Sequence, residues 1–156
     1  MDRLSRERRS WNMGRIPSCN TRPEIIVRSA LHRLGFRFRL HGNKLPGKPD
    51  IVLPKWRHVV FVHGCFWHRH GGCKKAYMPK SRIEFWFEKF KQNVARDKAV
   101  QSALERLGWS VSTIWECETE KPVVFSEAVS SLAERIKHIS PYEICRSSGM
   151  PAAGAE

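Results

Sequence analysis

At 156 residues, the chain is long enough for one domain with a real core, and its 28 Lys+Arg against 15 Asp+Glu give a formal charge of +13. That surplus points to a polyanion, nucleic acid first, although a ribosomal or merely soluble basic domain shares it. No apolar run is long enough to span a bilayer, and the Arg-rich N-terminus lacks the apolar segment of a signal peptide, which excludes a helical membrane protein and predicts an intracellular one. Five cysteines in such a chain predict thiols or metal ligands rather than disulfides.

Residues 1–20 are polar and basic, with Trp11, Met13 and Ile16 as the only anchors, and read as a DNA-binding arm that orders on its partner. Thr21-Arg22-Pro23-Glu24 predicts a capping box with Thr21 as N-cap. The helix that follows has Ile26, Val27, Ala30, Leu31 and Leu34 on one face and ends at Gly35. Phe36–Leu40 alternates as a half-buried strand does, residues 41–49 form a loop, and Asp50–Leu53 is a short apolar strand with an acid at its mouth. Pro54–Arg57 turns the chain into a third strand, His58–His63. Ser81-Arg82-Ile83-Glu84 predicts a second capping box opening a helical region to about Leu107, with room for a break near Asn93–Asp97. Gly108 closes it, Trp109–Trp115 is a fourth strand, and Ser126 caps a last helix with Val129, Leu132, Ala133 and Ile136 inward. The order α-β-β-β-α-β-α predicts a single α/β domain, over residues 21–140, with a mixed central sheet flanked by helices on two faces. Residues 141–156 read as a disordered tail, and no internal repeat is visible.

The densest chemistry lies just after the third strand, where three histidines and two cysteines fall between His63 and Cys73. Cys65-x4-His70-x2-Cys73 supplies three zinc ligands at workable spacing, with Cys117 the candidate for the fourth. His63 and His68 are then left without a ligand role. Cys19 and Cys145 read as ordinary free cysteines, and His32, His41, His58 and His138 as surface or structural residues. Asp50 suits a hard ion such as magnesium, against the plain alternative of a turn or cap residue. A hairpin would place Phe61–His63 beside it, so the Val62 carbonyl could share that ion, while Glu24 could hold a metal-bound water.

These residues resemble the very-short-patch repair (Vsr) endonucleases, a variant of the PD-(D/E)xK nuclease superfamily. The matching segments are Trp11-Asn12-Met13, Thr21–Glu24, Leu45-Pro46-Gly47-Lys48-Pro49-Asp50, Phe61–Cys73, Phe85-Trp86, Asn93–Asp97 and Gly108-Trp109 with Trp115-Glu116-Cys117. They cover residues from about 10 to 120. The resemblance implies a restriction-endonuclease-like core and a magnesium-dependent enzyme that nicks double-stranded DNA 5′ to the thymine of a T:G mismatch left by deamination of 5-methylcytosine. It implies a metal-binding Asp50 aided by the Val62 carbonyl, catalytic His63 and His68, and Glu24 positioning water. It also implies structural zinc on Cys65, His70, Cys73 and Cys117, and intercalating Phe66, Trp67, Trp86 and Met13. Phe61-Val62-His63 stands where the superfamily's Glu-x-Lys would fall, so histidines take over work a lysine does elsewhere. The expected setting is a monomer on DNA in a bacterial cytoplasm, linked to a cytosine-5 DNA methyltransferase. Two alternatives remain at this stage: a restriction-type nuclease of the same fold that cuts both strands, and a zinc-stabilised DNA-binding module without catalysis.

Overall fold

Residues 19–138, with Ser5, Glu7, Arg8, Trp11, Gly14 and Arg15 before them, are described by a computed structural model. The expected Met13 contact, Cys145 and the tail 141–156 lie outside the described residues. The elements are α1 (Arg22–Arg33), β1 (Arg39–Leu40), β2 (Ile51–Leu53), a 3-10 turn (Pro54–Trp56), β3 (His58–His63), α2 (Ile83–Arg106), β4 (Ser110–Trp115), a second 3-10 turn (Glu116–Thr119) and α3 (Pro122–His138). The predicted order is therefore observed. Among the described residues, the four strands form one mixed sheet in the order β1-β2-β3-β4, antiparallel except for the parallel β3–β4 pair.

Both faces of the sheet are covered, which is why β2 is buried along its whole length and reads as a continuous apolar run. On one face, Val27 and Leu31 of α1 and Leu132, Ala133 and Ile136 of α3 pack on Ile51, Leu53, Val60 and Ile114. On the other, Leu104 and Val100 of α2 cover Val52, Val59, Phe61 and Val111. Successive residues of β3 thus serve opposite layers, as the period of two requires.

The glycine stops work as expected. Gly35 (φ +88°) and Gly108 (φ +76°) each follow a helix end in the left-handed region. Phe36 N–H donates to Leu31 O (3.1 Å) and Gly35 N–H to His32 O (3.0 Å), while Trp109 and Gly108 repeat the pattern on Leu104 and Glu105 at 3.0 and 2.9 Å. Both are Schellman motifs with the accompanying apolar contact. The Arg57 guanidinium adds a clamp on the α2 terminus, donating to Leu107 O (2.6 Å) and Gly108 O (3.1 Å).

Five local expectations are corrected. Thr21 is the N-cap of α1, but its hydroxyl donates to Glu24 Oε1 (2.8 Å) instead of accepting from the backbone, because Glu24 Oε2 is drawn to Asn20 N–H and Arg28. Ser81 is not the cap of α2; that position falls on Arg82 (φ +53°), whose guanidinium lies over the Phe85 ring. α2 runs unbroken through Asn93–Asp97. Ser126 lies inside α3, which starts at Pro122, a residue whose fixed φ and missing N–H suit a first helical position. Only Arg39–Leu40 of the expected Phe36–Leu40 strand pair with β2, since Phe36 is committed to the α1 stop.

His58 opens β3 inside the core, 1% exposed, with Nε2 2.9 Å from Ser112 Oγ and Nδ1 without a partner. Burial, then the nearby Arg135, lowers its pKa to about 4. Between its ordinary value of 6.5 and 4, the unfolded chain takes up a proton that the folded chain refuses. This contribution to stability is whole above pH 6.5 and lost as pH falls to 4, by up to about 3 kcal/mol. Denaturant titrations of wild type and His58→Asn from pH 7 to 4 should show their stability difference shifting in that window; parallel curves would contradict it.

Candidate active site and metal centre

The register of the sheet assembles the site. In the parallel pair, His63 lies beside Trp115. The chain therefore leaves both strands at one edge, and Cys65 and Cys117, each two residues past the end of its strand, meet there. Their four donor atoms with His70 and Cys73 lie within 4.8 Å of one another, a group that could hold a metal ion. His70 offers Nδ1, which is 3.3 Å from Cys117 Sγ and 3.7 Å from Cys65 Sγ, and its ring stacks on Trp115 at 4.3 Å. Burial, then the neighbouring Cys65, pushes the Cys117 thiol up to about 12, and burial also raises Cys65. Cys73 is lowered, chiefly by the Lys75 amide. Crowded thiols that resist ionising together are what a soft dication would relieve.

In the antiparallel pair, Ile51 faces Val60. Asp50, one residue before β2, thereby reaches the far end of β3, where its Oδ2 accepts Val62 N–H at 2.8 Å. The expected juxtaposition of Asp50 with Phe61–His63 is thus present. The Asp50 carboxyl is raised above the usual carboxylate range, mainly by burial and further by Glu24, with the Val62 amide and Arg28 opposing. Glu24 is 4% exposed and held by Asn20 N–H (2.9 Å), the Thr21 hydroxyl (2.8 Å) and Arg28 Nη2 (2.8 Å). Two carboxylates thus lie close enough to repel, with Arg28 as a fixed cation beside them. A hard cation fits this donor set, because it would relieve the Asp50–Glu24 repulsion.

His63 and His68 stack face to face at 3.8 Å with 10° between planes. Burial, then His68, lowers His63 to about 4, so it is uncharged at neutral pH. His68 Nδ1 lies 2.5 Å from Asp97 Oδ2, leaving Nε2 as its other ring nitrogen. The donor atoms of His63, His68 and Asp97 are mutually close enough to suggest a metal. Imidazole lone pairs lie in the ring plane, however, and two parallel planes cannot converge on one ion. The geometry is that of a carboxylate orienting a histidine.

Asp97 and its neighbour Asn93 had no assigned role in the sequence. One face of α2 holds three consecutive loop residues: Trp86 and Phe90 meet Phe66 at 5.4 and 5.1 Å, Asn93 Nδ2 donates to Trp67 O at 3.0 Å, and Asp97 takes His68. The spacing of 86, 90, 93 and 97 is that of one helical face, and it was the available signal. Trp86 also lies 6.0 Å from Trp67, so the three expected wedge aromatics form one half-buried cluster. Arg69 backs it, over the Phe90 ring at 4.4 Å.

These groups line one groove of about 2820 Å³: Asp50 and Glu24, His63 and His68, and the aromatics Phe66, Trp67 and Trp86. Six cations line it as well: Lys48, Lys80, Arg82, Lys89, Arg96 and Lys98. A groove lined by cations and aromatics suits a nucleic-acid backbone with accessible bases. Among the described residues, no helix is long and apolar enough to cross a membrane.

The model of the family described as DNA mismatch endonuclease Vsr matches residues 1–75. The chain is 55% identical over 117 residues to the type II nicking enzyme V.XorIIP of Xanthomonas oryzae pv. oryzae, covering 75% of this chain and 85% of that protein. It is 42% identical over 136 residues to the type II nicking enzyme V.NmeAIP of Neisseria meningitidis, covering 87% and 96%. Against the DNA mismatch endonuclease Vsr of Escherichia coli K12 it is 45% identical over 109 residues, covering 70% and 69%. Agreement of that depth over most of the relatives' length places the chain in the Vsr family of DNA mismatch endonucleases.

Proposed function

We propose that this DNA endonuclease nicks one strand of a duplex 5′ to the thymine of a T:G mismatch, the lesion left by deamination of 5-methylcytosine. The observation that carries the reading is a single groove in which the aromatic cluster, the His68–Asp97 pair and Asp50 adjoin. The mismatch named for the Escherichia coli relative and the nicking named for the others support the substrate and the single cut.

Hydrolysis needs an oriented water, stabilisation of charge on phosphorus and a path for protons. Asp50 and the Val62 carbonyl would hold magnesium, which when bound supplies charge and orients water. Glu24, fixed by three hydrogen bonds, positions that water. His68, aligned by Asp97, takes a proton from the attacking water at Nε2 as the water oxygen bonds to phosphorus, while the bond to the leaving oxygen breaks and that oxygen takes up a proton from solvent. His63, neutral and stacked on His68, keeps the second ring in place. Cys65, His70, Cys73 and Cys117 would hold zinc, and four protein ligands leave it no open position, so its role is structural. We read the fold as restriction-endonuclease-like and the enzyme as a monomer acting in a bacterial cytoplasm beside a cytosine-5 DNA methyltransferase.

The aromatics explain how a mismatch would be found. Wedging a base step apart costs a few kcal/mol, and a weakly stacked wobble pair lowers that cost. Phe66→Ala and Trp67→Ala should therefore lose preference for T:G over T:A duplex, by about tenfold (roughly 1.4 kcal/mol), while general affinity changes little. Competition binding at fixed salt measures this. An equal loss on both duplexes would reduce the pair to generic contacts, and absence of any magnesium-dependent cleavage would leave a non-catalytic DNA-binding module.

A further inference from the structure

Among the described residues, six other than glycine hold a left-handed backbone, with φ between +45° and +56°: Asn20, His41, Lys48, Arg57, Arg69 and Arg82. That conformation costs a residue bearing Cβ on the order of 1 kcal/mol or more, so each instance needs a reason. Five give one through their side chains. Asn20 Oδ1 accepts from Arg28 and meets His41 Nε2, Arg57 clamps the α2 terminus, Arg69 donates to Tyr77 O, and Arg82 covers Phe85. Lys48 is the exception: its ammonium has no hydrogen bond, ion pair or ring contact among the described residues, and it lines the groove.

The turn that carries Lys48 cannot relax away. Gly47 (φ +70°) approaches α2 so closely that an added Cβ would lie 2.3 Å from Val100. Pro49 is fully buried and its carbonyl accepts Gly42 N–H at 2.9 Å, while Lys48 N–H donates to Leu45 O at 3.2 Å. Clamped on both sides, the turn presents Lys48 two residues before Asp50. Lys48 shares the groove with Asp50 and Glu24. Asp50 and Glu24 are acids, Arg28 is engaged by Glu24 and Asn20, and His63 is uncharged at neutral pH. A fixed cation there would share with a bound ion the charge that builds on the phosphate.

We propose that Lys48 is a catalytic residue that contacts the DNA phosphate at the cleavage site and supplies fixed positive charge as the phosphodiester breaks. The inference rests on the endonuclease reading above.

Lys48→Gly is the informative variant, because it removes the ammonium and relieves the left-handed backbone together. Single-turnover nicking of a T:G duplex with saturating enzyme and magnesium should slow about a hundredfold, while the melting temperature stays level or rises. Lys48→Arg should recover most of the rate. Rates for Lys48→Gly within about threefold of wild type, or a loss that vanishes once DNA is saturated, would overturn the proposal, the second by making Lys48 a mere affinity contact. Should wild type ignore T:G but nick another duplex, the substrate reading fails alone and Lys48 is judged on that duplex. A wild-type chain that cleaves no DNA removes both.

Discussion

Asp50→Ala should abolish nicking, with a fall in single-turnover rate on the order of 10³-fold or more, while the fold and DNA affinity survive. Asp50 sits at the mouth of β2, half-buried, with one carboxylate oxygen on Val62 N–H. Burial and Glu24 raise its pKa, so its ionised form is held at some expense that a bound cation would repay. Removing an acid from a groove that meets phosphates should leave affinity in chelator unchanged or slightly tighter. Asp50→Asn separates the roles, since it retains an acceptor for Val62 N–H; it should be as inactive as Asp50→Ala yet as stable as wild type. Near-normal turnover in either variant, measured over a magnesium titration, would remove Asp50 from the metal site. The raised Asp50 pKa adds a sign to the pH dependence: the metal-binding form is lost earlier on acidification than for an ordinary aspartate.

The second large effect concerns the Cys65–His70–Cys73–Cys117 group. Its ligands come from the loop after β3 and the turn after β4, so a metal there would tie the wedge loop to the far strand. Cys117→Ser should lose bound zinc and at least about 3 kcal/mol of stability, a fall in melting temperature of ~10 °C for a chain of this size. Wild type should carry one zinc per chain by elemental analysis. His70→Ala should behave like Cys117→Ser, whereas His68→Ala should keep its zinc and its mismatch affinity and lose most of the nicking rate. Zinc lost from His68→Ala and kept in His70→Ala would exchange the two roles. A fully stable Cys117→Ser chain would make the centre dispensable.

The sheet was legible because β3 and β2 are short apolar runs flanked by turn residues, and because Gly35 and Gly108 mark helix ends with a conformation few other residues adopt. The metal group was legible because three of its four members are close in sequence; its fourth, Cys117, follows from strand register, which the sequence expresses only through the length of β4. Asp97 and Asn93, though spaced on one helical face, were missed for an instructive reason. They are polar residues on the inner face of a helix, and a polar inner face reads as a break in the apolar stripe. In the structure that face binds the Trp67 carbonyl and the His68 ring instead of burying carbon. α3 was misread at its start because Val123 and Val124 are 70% and 39% exposed, so the apolar residues there do not mark the buried face. Lys48 could not be found at all without the backbone, since its distinction is a dihedral angle and a missing partner.

The most direct measurement places a label on each strand of two duplexes that differ only in one pair, T:G or T:A, and maps the products formed with magnesium. A single cut immediately 5′ to the mismatched thymine, with the opposite strand and the T:A duplex left whole, is the predicted result. Cleavage of both strands, or equal cleavage of the T:A duplex, would contradict the account and describe a restriction-type nuclease instead.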